Sequence, residues 1–318
     1  MLTSSAPARQ ESPLPARRPL DRVVVRSPAK LNLHLTCGPL RADGYHGLTT
    51  VFQAVSLWDE LVVTRGEALT LSVTGEGAGE LPVDERNLAV RAVRLAAQAT
   101  GCDPSLTLSL TKAIPVAGGC AGGSADGAAA LVACDALWGS GLTREELAGL
   151  AAQLGSDVPF ALHGGTALAT GRGEHLTPVL VEGTQSWVLA VADGGLSTPA
   201  VYGELDRQRE TGPVQVAGDP AELLQALRSG DPVAVGRALS NDLQAAALAL
   251  RPSLQRVLDA GLELGALGGV VTGSGPTVAL LARDAAQAAA LAQALAGAGV
   301  CRTVLLAEGP AAGARVSG

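Results

Sequence analysis

Aromatic side chains are scarce in this sequence: two Phe, two Tyr and three Trp among 318 residues, 2% of the chain. The core must therefore be built from Ala, Val and Leu, within a hydrophobic content of 47%. No run of 18 or more apolar residues is unbroken, so no membrane-spanning helix is expected. The opening stretch MLTSSAPARQESPLPARRPLDR holds four prolines and no apolar segment. That composition is unlike a secretory signal and predicts a disordered extension over residues 1–21. Cysteine is sparse: Cys37, Cys102, Cys120, Cys134 and Cys301 never fall in C-x-x-C spacing. An odd, scattered set predicts reduced thiols that behave as small buried hydrophobes, which fits a cytoplasmic location. His34, His46, His163 and His175 show no paired ligand spacing, so no protein-held metal site is expected. Basic clusters are also missing, and the net charge is −7. A nucleic-acid partner needs a positive footprint and is excluded, whereas a small phosphorylated ligand needs only backbone amides and one or two cations.

What is present is a mixed order of strands and helices. VVVRSPAKLNLHLT alternates around a proline and predicts strands with an interruption; LRADGYHGLTT reads as a loop, and VFQAVSLWDELVVTRG and LTLSVTG as further strands. Helical spacing marks DERNLAVRAVRLAAQATG, with Asp84 ahead of it and Gly101 closing it. LTLSLTKAIPV is strand-like, SADGAAALVACDALWGSG is helical, and TREELAGLAAQLG is a helix with Thr143 at its N-cap. GSDVPFALHGG reads as a loop, followed by strands in TALATG and SWVLAVAD. Helices then follow in PAELLQALRSG, DPVAVGRALSN and PSLQRVLDAGLELG, before a glycine-punctuated hairpin, a helix and a last strand. The pattern predicts an α+β chain, divided into domains over residues 22–185 and 186–318.

The stretch IPVAGGCAGGSADGAAAL concentrates glycine directly ahead of a helix-prone run. Backbone N–H groups can converge on an anion where side chains do not block the approach, and a helix N-terminus adds more of them. No Gly-Lys pair occurs there, which excludes the G-x-x-x-x-G-K-[ST] loop; Cys120 stands where G-x-G-x-x-G needs its second glycine. A phosphate cradle and a tightly packed turn both remain open on this pattern alone.

The wider chain narrows the choice. PVAGGCAGGSADGAA resembles the ATP-binding glycine motif of the GHMP kinases. SPAKLNLHL near the start and GGVVTGSGPTVALL near the end are similar to that family's first and third motifs. The resemblance implies a two-domain GHMP-kinase-like α+β fold, with the active site in the interdomain cleft and ATP with Mg²⁺ as cofactors. RADGYHGLTTVFQAVSLWDEL, ERNLAVRA, LGSDVPFALHGGTALATGRGEHLTPV and SNDLQAAALALRPSL are similar to one branch of the family. Its acceptor is the 2-hydroxyl of 4-diphosphocytidyl-2-C-methyl-D-erythritol, an intermediate of the non-mevalonate isoprenoid pathway.

On that resemblance Asp157 is the catalytic base, and Lys30 is its cationic partner; read without it, these are a turn aspartate and a strand-edge lysine. The ATP site comprises Pro115, Val116, Ala117, Gly118, Gly119, Cys120, Ala121, Gly122, Gly123, Ser124, Asn87 and Lys112. The substrate site comprises Asn32, Tyr45, His46, Gly273, Gly275 and Thr277. Tyr45 can stack on a cytosine and His46 can hydrogen-bond its edge, unless they are simply exposed loop residues. Asn87 alternatively starts a helix, and the third motif alternatively only shapes a hairpin. Cys120 and Ala121 stand where many relatives have Leu and Gly, so Ala121 is expected to keep a negative φ. Asp126 replaces a frequent Asn and is expected to be harmless. A kinase for homoserine or a mevalonate-type alcohol, and a non-catalytic nucleotide binder, are the competing readings; neither calls for both an aromatic base platform and a Lys–Asp pair.

Overall fold

Two long strands carry the first sheet of the computed structural model, which describes residues 20–42, 44–212 and 216–317. The expected N-terminal extension falls almost wholly on residues 1–19, outside the described residues. β1 (Arg22–Leu40) and β2 (His46–Arg65) pair antiparallel, with register shifts at Pro28/Ala29, Asn32/His34 and Cys37/Leu40. Pro28 therefore does not break the strand. A local shift absorbs its missing N–H. The loop expected up to Thr50 is shorter, because His46–Thr50 already pairs with β1 and, from Leu48, with β5 (Thr166–Gly171). β3 (Thr70–Gly75) and β4 (Leu106–Lys112) extend the sheet beyond the far half of β2. β6 (His175–Pro178) pairs with β5.

The second sheet begins with β7 (Gln185–Val191), every residue of which is buried. The chain returns briefly to β1 through β8 (Ser240–Asn241), then adds β9 (Gly268–Val271), β10 (Val278–Ala282) and β11 (Thr303–Gly309) to β7 in the antiparallel order β11-β7-β10-β9. Finally β12 (Arg315–Val316) pairs with β1 in the first sheet.

α1 (Leu88–Thr100), α2 (Gly122–Trp138), α3 (Arg144–Leu154) and α4 (Val158–His163) cover the first sheet. α2 is apolar on nearly all sides, as a helix enclosed by others must be. α3 opens with the reciprocal Thr143–Glu146 capping box. The N-cap of α1 is Asn87, whose side chain accepts from Ala89 N–H; Asp84 instead closes a turn onto Arg86. α5 (Thr198–Thr211), α6 (Ala221–Ser229), α7 (Pro232–Ala238), α8 (Gln244–Leu250), α9 (Ser253–Glu263) and α10 (Ala285–Ala298) surround the second sheet. Leu31 and Leu33 of β1 share one core with Trp187, Leu189 and Leu281, so the two sheets are packed together rather than strung on a linker.

Three helices were not expected: α4, α5 and α8. α4 hides in the loop-like GSDVPFALHGG, where Pro159 suits a first helical turn. α5 is strongly polar and buries only Val201 and Leu205, too few apolar residues to show a helical stripe.

Candidate active site

A cavity of about 1000 Å³ opens between the first sheet on one side and α5 with the turn joining β9 to β10 on the other. Its wall combines β1, the glycine stretch, the turn ahead of α4, α5 and the Gly273–Gly275 turn. The three sequence motifs meet there through main-chain contacts. Lys30 N–H donates to the Cys120 carbonyl (3.1 Å), Asn32 N–H to the Thr272 hydroxyl (3.0 Å), and Thr277 N–H to the Gly118 carbonyl (3.2 Å). Gly119 has φ +79°, and a Cβ there would lie 2.2 Å from the Thr272 carbonyl oxygen. Only glycine permits that approach.

Lys30 and Asn32 project from the same face of β1, as period-two alternation requires. The Lys30 ammonium is nearly buried, donates to Asn32 Oδ1 (2.6 Å), lies 3.6 Å from Asp157 Oδ2 and sits 4.8 Å from the Phe52 ring centroid. Asn32 in turn donates to Thr50 Oγ1 (2.9 Å), which fixes its amide. Asp157 remains 29% exposed toward the cavity. A buried cation thus has its counter-charge at the one point where a ligand can reach both.

Above this pair lies the N-terminus of α2. Its first helical hydrogen bond is Ala125 N–H to the Ala121 carbonyl, and no side chain caps the preceding N–H groups. Gly122 and Gly123 leave those amides open to the cavity, an anion-binding arrangement reinforced by the helix dipole. Ala121 departs from expectation: its φ is +58°, and Ala117 has φ +52°. Each left-handed alanine stores roughly 1–2 kcal/mol of strain. Strain of this kind collects at ligand-binding turns. Cys120 is wholly buried among Ala29, Leu31, Ile114 and Ala125, and burial raises its thiol to about 11. It fills space as a hydrophobe and has no thiolate character.

A smaller cavity of about 220 Å³ adjoins the other side of the stretch, between Pro82, Asn87, Leu88, Lys112, Val116 and Asp126. Lys112 is sealed, with 1% of its side chain exposed; it pairs with Asp59 and with Asp126 Oδ2 (2.7 Å). Burial alone would lower its ammonium, but the two carboxylates reverse this and hold it above the usual lysine value. Asp59 Oδ1 accepts from Ala113 and Ile114 N–H, whereas Asp126 Oδ1 has no partner. Burial, only partly opposed by Lys112, pushes Asp126 up to about 7. Asp126 is therefore more than an isolated exchange for Asn: it is a buried acid raised by desolvation and tied to Lys112.

At the far end of the large cavity, His46 Nε2 lies 2.9 Å from Asp206 Oδ1, and its ring is 5.0 Å from that of Tyr202. Tyr45 is half-exposed beside them, with the Arg172 guanidinium 4.5 Å from its ring centroid. An ionised carboxylate only accepts, so Asp206 fixes the proton on Nε2 and leaves Nδ1 of the neutral ring as an acceptor.

Comparisons with known proteins agree with this geometry. Residues 87–165 match the GHMP kinases N terminal domain, and residues 223–301 match GHMP kinases C terminal. Over 299 residues the chain is 58% identical to a 4-diphosphocytidyl-2-C-methyl-D-erythritol kinase from Salinispora tropica, covering 92% of this chain and 94% of the relative. The chain belongs to the GHMP kinase family. A Nocardia farcinica protein of the same name is 59% identical over 294 residues, covering 92% and 96% of the two chains. The crystal structure of a 4-(cytidine 5'-diphospho)-2C-methyl-D-erythritol kinase aligns with TM-score 0.74 at 33% identity over 89% of this chain and 98% of that one. Homoserine kinase from Cytophaga hutchinsonii shares the two-domain fold, with TM-score 0.73 at 20% identity over 96% of this chain and 100% of that one.

In this GHMP kinase the expected site residues divide into three groups. Lys30, Asn32, Tyr45, His46, Pro115, Ala117, Gly118, Gly119, Ala121, Gly122, Gly123, Asp157, Gly273 and Gly275 line the large cavity. Asn87, Lys112 and Val116 line the small one, where both ends of the Asn87 amide are engaged by Ala89 N–H and the Pro82 carbonyl. Cys120, Ser124 and Thr277 line neither. Thr277, expected to touch substrate, is fully buried, and its backbone instead ties the third motif to Gly118. Tyr202, Asp206, Arg172 and Ser274 were missed. Tyr202 and Asp206 ride on α5, the helix that lacks an apolar stripe.

Proposed function

We propose that this protein transfers the γ-phosphoryl group of ATP to the 2-hydroxyl of 4-diphosphocytidyl-2-C-methyl-D-erythritol in the cytoplasm, as a step of non-mevalonate isoprenoid synthesis. One observation carries the reading: a single cavity has a Tyr45–His46–Tyr202 aromatic end and a Lys30–Asp157 end. The cytosine stacks between rings, and His46 Nδ1 accepts from its 4-amino group, which uracil could not supply. The triphosphate lies on the amides of Gly122 and Gly123, with the purine in the cavity beside Asn87. The acceptor hydroxyl gives its proton to Asp157 as its oxygen attacks phosphorus and the bond to the ADP oxygen breaks. Lys30 stabilises charge gathering on the transferred group.

Among the described residues, no group of three His, Cys, Asp or Glu could hold a metal alone. Mg²⁺ would then be held mainly by the phosphates, with the cavity-facing Asp157 carboxylate as a candidate protein oxygen, and it would supply charge neutralisation. No helix of the described residues is long and apolar enough to cross a membrane. On this reading residue 185 ends the nucleotide-binding domain and residue 186 opens the second. A coupled ADP-release assay tests the proposal: turnover with the cytidyl substrate, and none with homoserine or mevalonate, is expected. Preference for either alcohol overturns it.

A further inference from the structure

An acceptor with a nucleobase at one end of the cavity and its reactive hydroxyl at the other carries a diphosphate between them, and that charge must meet something. Among the described residues lining the large cavity, the only lysine or arginine side chains are Lys30 and Arg172, and the carboxylates are Asp157 and Asp206. Lys30 is held by Asn32 and Asp157 at the reacting end. Arg172 stands elsewhere. Its guanidinium lies over the Tyr45 ring at 4.5 Å from the centroid. The next residue, Gly173, faces the reacting end: a Cβ there would lie 3.8 Å from Asp157 Oδ1 and 3.5 Å from Phe52. The turn that carries Arg172 thus spans from the base platform to the proposed base.

Its neighbours favour a ligand role. Glu174 accepts from the Arg172 backbone N–H at 2.5 Å, so this carboxylate is engaged in closing the turn. The side chain of Arg172 remains exposed at the cavity wall. Stacking on a ring holds a guanidinium in one orientation without using its N–H donors, which leaves the planar fork available for phosphate oxygens. In a chain of net charge −7, a dianionic linker needs such a local cation.

We propose that Arg172 is the specificity residue that clamps the diphosphate of the acceptor, with Tyr45 serving both as its support and as part of the base platform. This rests on the acceptor reading above. The competing source of phosphate is ATP, and the kinetics separate the two.

The experiment compares wild type with Arg172→Ala, Arg172→Gln and Arg172→Lys. It measures KM for the cytidyl substrate, KM for ATP, and inhibition by CDP and by cytidine. Loss of the guanidinium should raise the acceptor KM about tenfold and weaken CDP similarly, with the lysine variant recovering part of the loss. ATP KM, kcat and cytidine inhibition should stay within about twofold, on the same scale of charge-assisted contacts. Equal weakening of cytidine and CDP would mean that Arg172 only braces Tyr45, and a rise confined to ATP KM would assign it to the nucleotide; either result overturns the clamp. Wild type that ignores CDP altogether would overturn the acceptor reading and the clamp with it. Wild type that binds CDP while Arg172→Ala binds it equally well would overturn the clamp alone.

Discussion

Two lysines flank the glycine stretch, and their surroundings differ in one respect that separates reactivity from support. Lys30 has one carboxylate at 3.6 Å, and that carboxylate is 29% open to the cavity. Lys112 has two, and the exposures of the three side chains are 1%, 1% and 4%. The stretch itself is the partition. Cys120 accepts from the Lys30 backbone, while a Cβ on Gly122 would come within 3.1 Å of Lys112 Nζ. An ion pair sealed from solvent holds elements together, because separating it strands a charge; one left ajar can exchange its partner for a substrate.

The sharpest way to break this contrast is a crossed pair of variants. Asp157→Asn should lower kcat by about 10²–10⁴-fold with little change in melting temperature. Lys112→Met should do the reverse, destabilising the fold by about 3–5 kcal/mol because it removes the ammonium that offsets the buried Asp59 and Asp126 carboxyl groups, as read by denaturant unfolding. A well-folded Asp157→Asn enzyme with near-normal turnover would remove the distinction.

The pH dependence of stability comes next. The folded-state value of Asp126 is raised, so its contribution to stability is fully present below its unfolded value of about 3.9 and is lost as pH rises through about 7. Wild type should therefore lose stability between roughly pH 4 and 7 at this group, by at most on the order of 4 kcal/mol. Asp126→Asn should flatten that slope and be at least as stable as wild type at pH 8. An unchanged slope in urea unfolding would remove Asp126 from the account.

The smallest effect belongs to the partition. Ala121→Gly should relieve left-handed strain and raise stability by about 1 kcal/mol, measured by thermal unfolding. If the variant is also slower, the strain itself helps to preorganise the phosphate loop.

Much of this was legible in the chain. Apolar periodicity and caps located α1 and α3, and alternation located β4, because those elements bury one regular face; α2 and β7 are buried on nearly every side and show as apolar runs instead. The glycine stretch was legible as a helix N-terminus with open amides. Other features were not. α5 buries two residues, so its helical period is invisible, and with it went Tyr202 and Asp206. Thr277 looked like a substrate contact because its motif turns near the site, yet the turn points its side chain into the interior. Asp126 looked like a neutral exchange because its environment is tertiary: burial raises its pKa, Asp59 adds to that rise and Lys112 opposes it, from 67 and 14 positions away.

By itself, the sequence determined the α+β class, the family, and the three motifs that converge on one cavity, since each is written in local residue order. Which lysine faces a ligand, which ring nitrogen of His46 meets a carboxylate and which acid is raised by burial were decided only by the tertiary structure. Those properties depend on desolvation and on charges within a few ångströms, and it is packing that brings such neighbours together.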